Sequence, residues 1–191
     1  YDVLVADGSG CDTTLQVLII EPAPFVVDAA VNSISCNAAC DASITLSASG
    51  GVASYSVIWT PVPPNGQGVL VAEDLCAGTW TALVTDANGC SITLTFDLTE
   101  PALLTVGATS TPSSCGVCDG TASSSVTGGT SPYTYSWSLG GTVVSTDPDA
   151  TNLCAGAYTL LVTDANGCTA TAQVTIADAD GEVLIPEDGQ V

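Results

Sequence analysis

The feature that most constrains this chain is that it repeats itself. Leu153 to Cys168 reads LCAGAYTLLVTDANGC, Leu75 to Cys90 reads LCAGTWTALVTDANGC, and a clipped version, YDVLVADGSGC, occupies Tyr1 to Cys11. A recurring phrase means a recurring structural unit, so the chain reads as a tandem array and not as one 191-residue fold. Within the phrase, Trp80, Ala82 and Val84, or Tyr158, Leu160 and Val162, point one way, with threonines mostly on the other side. Period two marks a half-buried strand. Asp-Ala-Asn-Gly then supplies Asn and Gly where a tight reversal needs positive φ, and alternation resumes through Ile92, Leu94, Phe96 and Leu98, giving a β-hairpin. The aromatic at the strand start either fills core or makes a tyrosine corner, its polar tip bonding the backbone of the preceding turn.

The register of the repeats is close. Cys90 and Cys168 are 78 residues apart, as are Trp59 and Trp137, while Cys36 and Cys115 are 79 apart because one cysteine loop is a residue longer. Residues 1–21 align with 80–100 and 158–178, so they are expected to be the closing hairpin of a preceding repeat, with Thr13, Leu15, Val17 and Ile19 facing a core that lies elsewhere. Residues 22–100 form the first complete repeat and 101–178 the second; 179–191 is an acidic tail or the first strand of a further repeat. Strands are expected near 25–32, 43–49, 54–60, 68–73, 79–85 and 91–98, with equivalents near 104–110, 121–127, 133–138, 142–145, 157–163 and 169–176. Gly50-Gly51 and Gly128-Gly129 mark a reversal that larger residues would obstruct. The third strand sets Tyr55, Val57 and Trp59, or Tyr133, Tyr135 and Trp137, on one face as a core stripe. Six or seven short strands with turn signals this frequent imply an all-β chain of tandem Greek-key sandwiches of immunoglobulin-like type. Leu46 and Leu83 then take the central positions where an antibody domain carries its inter-sheet cysteines.

Composition narrows the function. Val, Thr, Ala, Ser and Gly dominate, and no stretch sustains a 3.6-residue apolar period, so helix should be nearly absent. No run of 18 apolar residues suggests a transmembrane helix, and no basic n-region marks a signal peptide; the sequence reads as soluble, mature or internal. There are 20 Asp and Glu but no Lys, Arg or His, so side-chain salt bridges cannot form. Nucleic acid is excluded as a partner, because neutralising its backbone needs Lys and Arg, and anionic membrane surfaces are disfavoured likewise. A net charge of −20 keeps copies apart while self-repulsion weakens the compact state unless cations condense on it.

The nine cysteines look structural. Histidine ligands for zinc are missing, and Cys115-Gly-Val-Cys118 has three residues between its cysteines in the sister loop, Cys36 to Cys40, a change that a disulfide loop tolerates and a metal or redox site does not. Structural disulfides place the chain in an oxidising, extracytoplasmic compartment. Cys76 and Cys90 flank one strand, about seven residues at about 3.3 Å each, too far apart to bond. The loop holding Cys36 and Cys40 shares a pole with Cys76, which pairs Cys40 with Cys76 and Cys118 with Cys154, each closing a long loop. Cys36 then meets Cys168 if successive repeats abut head to tail; its rival partner is Cys90 in the same repeat, which requires the opposite strand polarity. Cys11, Cys90 and Cys115 are left for neighbouring repeats or other chains. The joint between repeats, Thr99-Glu100-Pro101-Ala102, is short and proline-stiffened.

These residues carry a family resemblance. A Cys followed by Asp-Ala-Ser or Asp-Gly-Thr, then Gly-Gly, a Tyr-x-Tyr-x-Trp strand, Leu-Cys-Ala-Gly-x-Tyr and Val-Thr-Asp-Ala-Asn-Gly-Cys resembles the SprB-type repeats of large gliding and adhesion proteins of the Bacteroidota. The likeness covers residues 1–178, is most specific in Tyr133 to Trp137 and Leu153 to Cys168, and is looser at Val52-Ala53-Ser54-Tyr55. It implies an immunoglobulin-like fold, many copies per polypeptide, export by the type IX route and a place at the cell surface, and it carries no catalytic residues. Asp12-Thr13-Thr14 resembles the Asp-Thr O-glycosylation signal of such bacteria.

Candidate chemistry is sparse. Without histidine, Ser-His-Asp and Cys-His catalysis is excluded. The carboxylate pairs Glu73-Asp74 and Asp147 with Asp149 read as solvated turn residues. Asp178, Asp180 and Glu182 imitate the first half of a calcium loop, but Val183 and Gly189 stand where the glycine and the closing glutamate belong, so calcium is the only cofactor to weigh. Three functions follow: a non-enzymatic stalk or fibre of a cell-surface adhesin; a spacer or carbohydrate-binding module of a secreted enzyme; or a subunit of a head-to-tail filament in which a tail completes the clipped repeat of another chain. Partners are neighbouring repeats or identical chains, or a surface glycan or protein. Burial of Trp59, Trp80 and Trp137 favours the first over the second.

Overall fold

In a computed structural model, residues 1–179 are described. The chain opens with β1 (Asp2–Ala6) and β2 (Asp12–Gln16), an antiparallel pair in register from Asp2 opposite Gln16 to Ala6 opposite Asp12. There follow β3 (Val26–Asn32), β4 (Ala42–Ser49), β5 (Ser56–Thr60), β6 (Val71–Leu75), β7 (Gly78–Thr85) and β8 (Ser91–Leu98). They form two three-stranded sheets, ordered β3-β4-β6 and β5-β7-β8. Next come β9 (Thr105–Thr111), β10 (Ser113–Ser114), β11 (Gly120–Thr127), β12 (Thr134–Leu139), β13 (Thr142–Ser145), β14 (Asp149–Leu153), β15 (Gly156–Thr163), β16 (Thr169–Ile176) and β17 (Asp178–Ala179). Their sheets are β14-β11-β9 and β13-β12-β15-β16, plus a small parallel pairing of β10 with β17. No helix occurs among the described residues.

The described chain gathers into two compact units. The first comprises Tyr1–Val31, Ser43–Glu73 and Thr79–Phe96; the second takes Asn32–Ala42, Asp74–Gly78 and everything from Asp97 onward. The first unit buries Ile44, Leu46, Val57, Trp59, Ala72, Trp80, Ala82 and Val84. In the second, Ala122, Trp137, Ala150, Leu153, Tyr158, Leu160, Val162 and Ile176 make the core of one sandwich. Alternation builds both: β7 reads buried at Trp80, Ala82 and Val84, and β15 at Tyr158, Leu160 and Val162. Leu46 is buried, whereas Leu83 lies on the opposite face of β7 from this core and is only half-buried; the inward position is Ala82, opposite Trp59 on β5.

Polar atoms in these cores are tied to backbone. Trp59 Nε1 donates to Val69 O at 3.0 Å and Trp137 Nε1 to Asp147 O at 3.1 Å. Tyr55 and Tyr133 hydroxyls donate to Gly50 O and Gly128 O, and Tyr158 donates to Cys154 O at 3.0 Å, the geometry of a tyrosine corner. The double glycines are obligatory: Gly50 and Gly128 have φ of 69° and 70°, and a Cβ on either would stand 1.9 Å from a carbonyl oxygen, that of Pro24 or Leu103.

The fourth-strand expectation needs correcting. The stretches near 68–73 and 142–145 are not equivalent: β6 corresponds to β14, and β13 is an additional strand paired with β12. Pro61, Pro63 and Pro64 remove the donors that a ladder there would need. In place of a strand, the Gln67 side chain lies along β5, its Oε1 accepting from Trp59 N at 3.1 Å and its Nε2 donating to Trp59 O at 3.5 Å.

Candidate functional site

Three copies of one turn organise the chemistry of the molecule. In Asp86-Ala-Asn-Gly-Cys90, Asp86 N donates to Cys90 O at 2.9 Å, and Asp86 Oδ1 accepts from Asn88 N at 2.9 Å and Cys90 N at 2.8 Å. Asp164 repeats this with Asn166 and Cys168, and Asp7 with Ser9 and Cys11. Gly10, Gly89 and Gly167 take φ of 89°, 87° and 86°, which the reversal requires. In the second and third copies the other carboxylate oxygen reaches inward: Asp86 Oδ2 accepts from Val52 N at 2.9 Å and Asp164 Oδ2 from Thr130 N at 2.8 Å, each 34 residues away. Both aspartates are buried, and Asp7 is exposed.

Hydrogen bonds to the charged form hold all three carboxyls below the ordinary carboxylate range. For Asp86 the Val52 N–H is the leading cause, opposed by burial. Burial pushes Asp164 up, but the N–H groups of Thr130, Cys168, Asn166 and Gly167 outweigh it. At Asp7 the Ser9 hydroxyl leads, followed by backbone N–H groups.

A second motif closes each cysteine loop. Ser35 N and Oγ both donate to Asp41, and Ser114 N and Oγ both donate to Asp119, the latter at 2.6 and 2.7 Å. These clamps depress Asp41, chiefly through the Ser35 hydroxyl, and Asp119, chiefly through the Ser114 N–H. The clamp was readable as Ser immediately before the first cysteine of the loop and Asp immediately after the second, but period and hydropathy give such a pair no signal.

The structure joins Cys40 to Cys76, Cys118 to Cys154, and Cys36 to Cys168. Cys11, Cys90 and Cys115 are exposed free thiols. Around the Cys36–Cys168 bond, inside the second unit, Asn166 Nδ2 donates to Ser35 O at 2.9 Å, and Cys168 Sγ lies 3.4 Å from the same oxygen. Glu100 accepts from Asn37 Nδ2 at 3.0 Å and from Ala38 N at 2.7 Å, and Asn37 Nδ2 also donates to Pro101 O. The cysteine loop is thus held by two cystines, one at each end, and by this set of hydrogen bonds.

The remaining candidates are not assembled into a site. Glu73 and Asp74 lie on β6 and Asp149 on β14, in strands and not in turns, and Asp149 Oδ1 accepts from Ser124 N at 3.2 Å. Asp147 is exposed, and its backbone serves Trp137. Of the calcium candidates, Asp178 sits on β17 beside Ser113, while Asp180 and Glu182 lie outside the described residues, as does all but the first residue of the 179–191 tail. Among the described residues no three His, Cys, Asp or Glu side chains gather closely enough to hold a metal ion. Thr13 and Thr14 are exposed on β2. Trp59, Trp80 and Trp137 are buried, so none forms an aromatic platform on the surface. No helix among the described residues is long and apolar enough to cross a membrane.

Two facing sheets, with β12, β15 and β16 on one side and β9, β11 and β14 on the other, define an immunoglobulin-like sandwich. The SprB repeat family model matches two stretches of the chain, residues 29–63 and 107–142, so these stretches are similar to SprB-type repeats. Solved structures are similar in fold. The three N-terminal domains of the bacteriophage RB49 highly immunogenic outer capsid protein, Hoc, share 22% identity over 81% of this chain and 59% of that one, with a TM-score of 0.51. A Dscam structure determined for isoform specificity shares 17% identity over 88% and 51%, with a TM-score of 0.40. The C-terminal 282-residue fragment of intimin, solved with the intimin-binding domain of its translocated receptor, shares 13% over 83% and 64%, at 0.43. This chain spans less than two thirds of each. No curated protein sequence matches it.

Proposed function

We propose that this chain is a non-enzymatic, extracellular structural protein, part of the stalk or fibre of a bacterial cell-surface adhesin, built from repeats over 22–100 and 101–178. The observation that supports the reading is the cystine between Cys36 and Cys168, which joins residues 132 apart in sequence, one from each expected repeat, within one compact unit. Three disulfides suit an oxidising compartment. The two SprB repeat matches support a cell-surface location and, with it, export by the type IX route. Burial of all three tryptophans argues against the carbohydrate-binding alternative, since a sugar needs an exposed aromatic face. The filament reading draws on one observation, the apolar exposure of residues 1–20, where Leu4, Leu15, Ile19 and Ile20 all face solvent. Electron microscopy of antibody-labelled cells tests the proposal. Thin surface fibres lost on deleting the gene are expected; a compact intracellular or freely secreted globule would overturn it.

A further inference from the structure

The Cys36–Cys168 bond is a template whose parts recur unpaired elsewhere in the chain. Residues 86–90 read Asp-Ala-Asn-Gly-Cys, as do 164–168; Glu21-Pro22-Ala23 repeats Glu100-Pro101-Ala102; and Ser114-Cys115 repeats Ser35-Cys36. The backbone of the two Asp-Ala-Asn-Gly-Cys turns is bonded alike, so Asn88 stands on its turn as Asn166 does. Yet Glu21, Asn88 and Cys90 are exposed, and so is Cys115.

We propose that Glu21, Asn88 and Cys90 form a docking surface for the Ser114–Cys118 loop of a second copy of this chain, closed by a disulfide between Cys90 and the second copy's Cys115. Ser114 O, which already accepts from Val117 N at 2.8 Å, takes Asn88 Nδ2 on its remaining lone pair as Ser35 O takes Asn166 Nδ2, and Glu21 accepts from the Gly116 N–H as Glu100 does from Ala38 N. Gly116 has the positive φ of Ala38, 70° against 59°, and each is the third residue of a turn, closed by Val117 N on Ser114 O and by Ala39 N on Cys36 O; the shorter loop carries no asparagine side chain like that of Asn37. Cys11 is the weaker acceptor. Its turn carries Ser9 where the others carry Asn, and the Ser9 hydroxyl is already spent on Asp7 at 2.7 Å.

Closing the bond needs an oxidant, and a small-molecule disulfide such as oxidised glutathione supplies it. The Cys115 thiolate attacks one glutathione sulfur and expels a glutathione thiolate; the Cys90 thiolate then attacks the Cys115 sulfur and expels the second. Two protein thiols and one glutathione disulfide become one protein disulfide and two glutathione thiols. The inference rests on the tandem-array reading but fails separately from it, because an array can be a fibre with both thiols free.

The test is to hold the purified 191-residue chain in a glutathione redox buffer and run it without reductant. A reducible ladder is expected, with Cys90 linked to Cys115 in peptides cut at Asp and Glu, since trypsin has no site. Cys90→Ser should abolish the ladder and Cys11→Ser should leave it. Asn88→Ala should lower the equilibrium yield of the Cys90–Cys115 linkage about fivefold, the worth of one net hydrogen bond. Glutathione adducts alone, a ladder that survives Cys90→Ser, or Cys115 shared equally between Cys11 and Cys90 would overturn the joint. Fibres on cells would persist in that event, and only their absence would count against the structural role.

Discussion

Two regions of this molecule carry the same hairpin with opposite fates. The pairing of Asp2 with Gln16 in the first hairpin corresponds to that of Thr159 with Gln173 in the β15–β16 hairpin, and both turns are closed by an aspartate in the same way. Their apolar residues part company. Tyr1 is 83% exposed against 2% for Tyr158, Val3 46% against 0% for Leu160, and Ile19 69% against 1% for Ile176. The turn and register are therefore encoded within some twenty residues, while burial depends on β9, β11, β12 and β14, which all lie outside the hairpin. A two-stranded hairpin by itself is marginal in water, so most of the stability belongs to the sandwich and little to the phrase that announces it.

The largest effect should come from the aromatic that opens the strand. Tyr158→Ala removes a ring from the core together with its bond to Cys154 O and should cost about 3–5 kcal/mol. Tyr1→Ala, at the matching position, should stay within about 0.5 kcal/mol. Denaturant melts of the two variants make the comparison, and equal losses would break it.

What the sequence disclosed follows the same division. Strands whose inward residues alternate without interruption, such as β7, β12 and β15, were legible from period two. The sequence places β6 too early and does not reveal β14 at all. In β6 and β14 the buried residues are Ala72 and Leu75, and Ala150 and Leu153, three apart, because Asp74 and Asn152 adopt φ of 57° and 58° and break the alternation. The sequence places β13 at 142–145 although no residue of it is buried, but with β14 unread it is matched to the wrong strand of the first repeat. Gln67, which takes the place of an edge strand in the first repeat, does so with its side-chain amide, and no periodicity can report that. The Asp turn was legible as a reversal, but the reach of Asp86 to Val52 and of Asp164 to Thr130 was not, since it spans 34 residues.

The cystines sharpen the contrast at an intermediate magnitude. Replacing Cys118 and Cys154 together by Ala opens a bridge between residues 36 apart and should cost about 3–4 kcal/mol on the chain-entropy account. Alkylating Cys11, an exposed thiol on the hairpin turn, should leave the melting transition in place. A thermal scan of the double variant beside a Cys90→Ser/Cys115→Ser chain before and after alkylation, in which Cys11 is the free thiol left, reads both, and a shift caused by alkylation would mean that the hairpin carries stability it has no visible means to carry.

The smallest and most diagnostic effect separates the aspartates. Asp164→Asn keeps an acceptor for Asn166 and Cys168, but it sets an amide N–H₂ against the Thr130 N–H where Oδ2 accepted, leaving a buried donor without a partner. Asp7→Asn keeps the turn acceptor and is exposed, so it should be the milder change. Acid should act along the same line. Because these carboxyls are held below the ordinary value, their contribution is fully present above about pH 4 and is lost as the pH falls through the depressed folded value. Protonation of the other carboxylates relieves the repulsion of a −20 chain and works in the opposite sense, so the informative quantity is the stability of the wild type minus that of Asp164→Asn across the acid limb. That difference should shrink on acidification. A difference that held constant to low pH would show that the Asp164 carboxylate bonds to Thr130 no better than a neutral group does, and that the buried turn and the exposed one are equivalent after all.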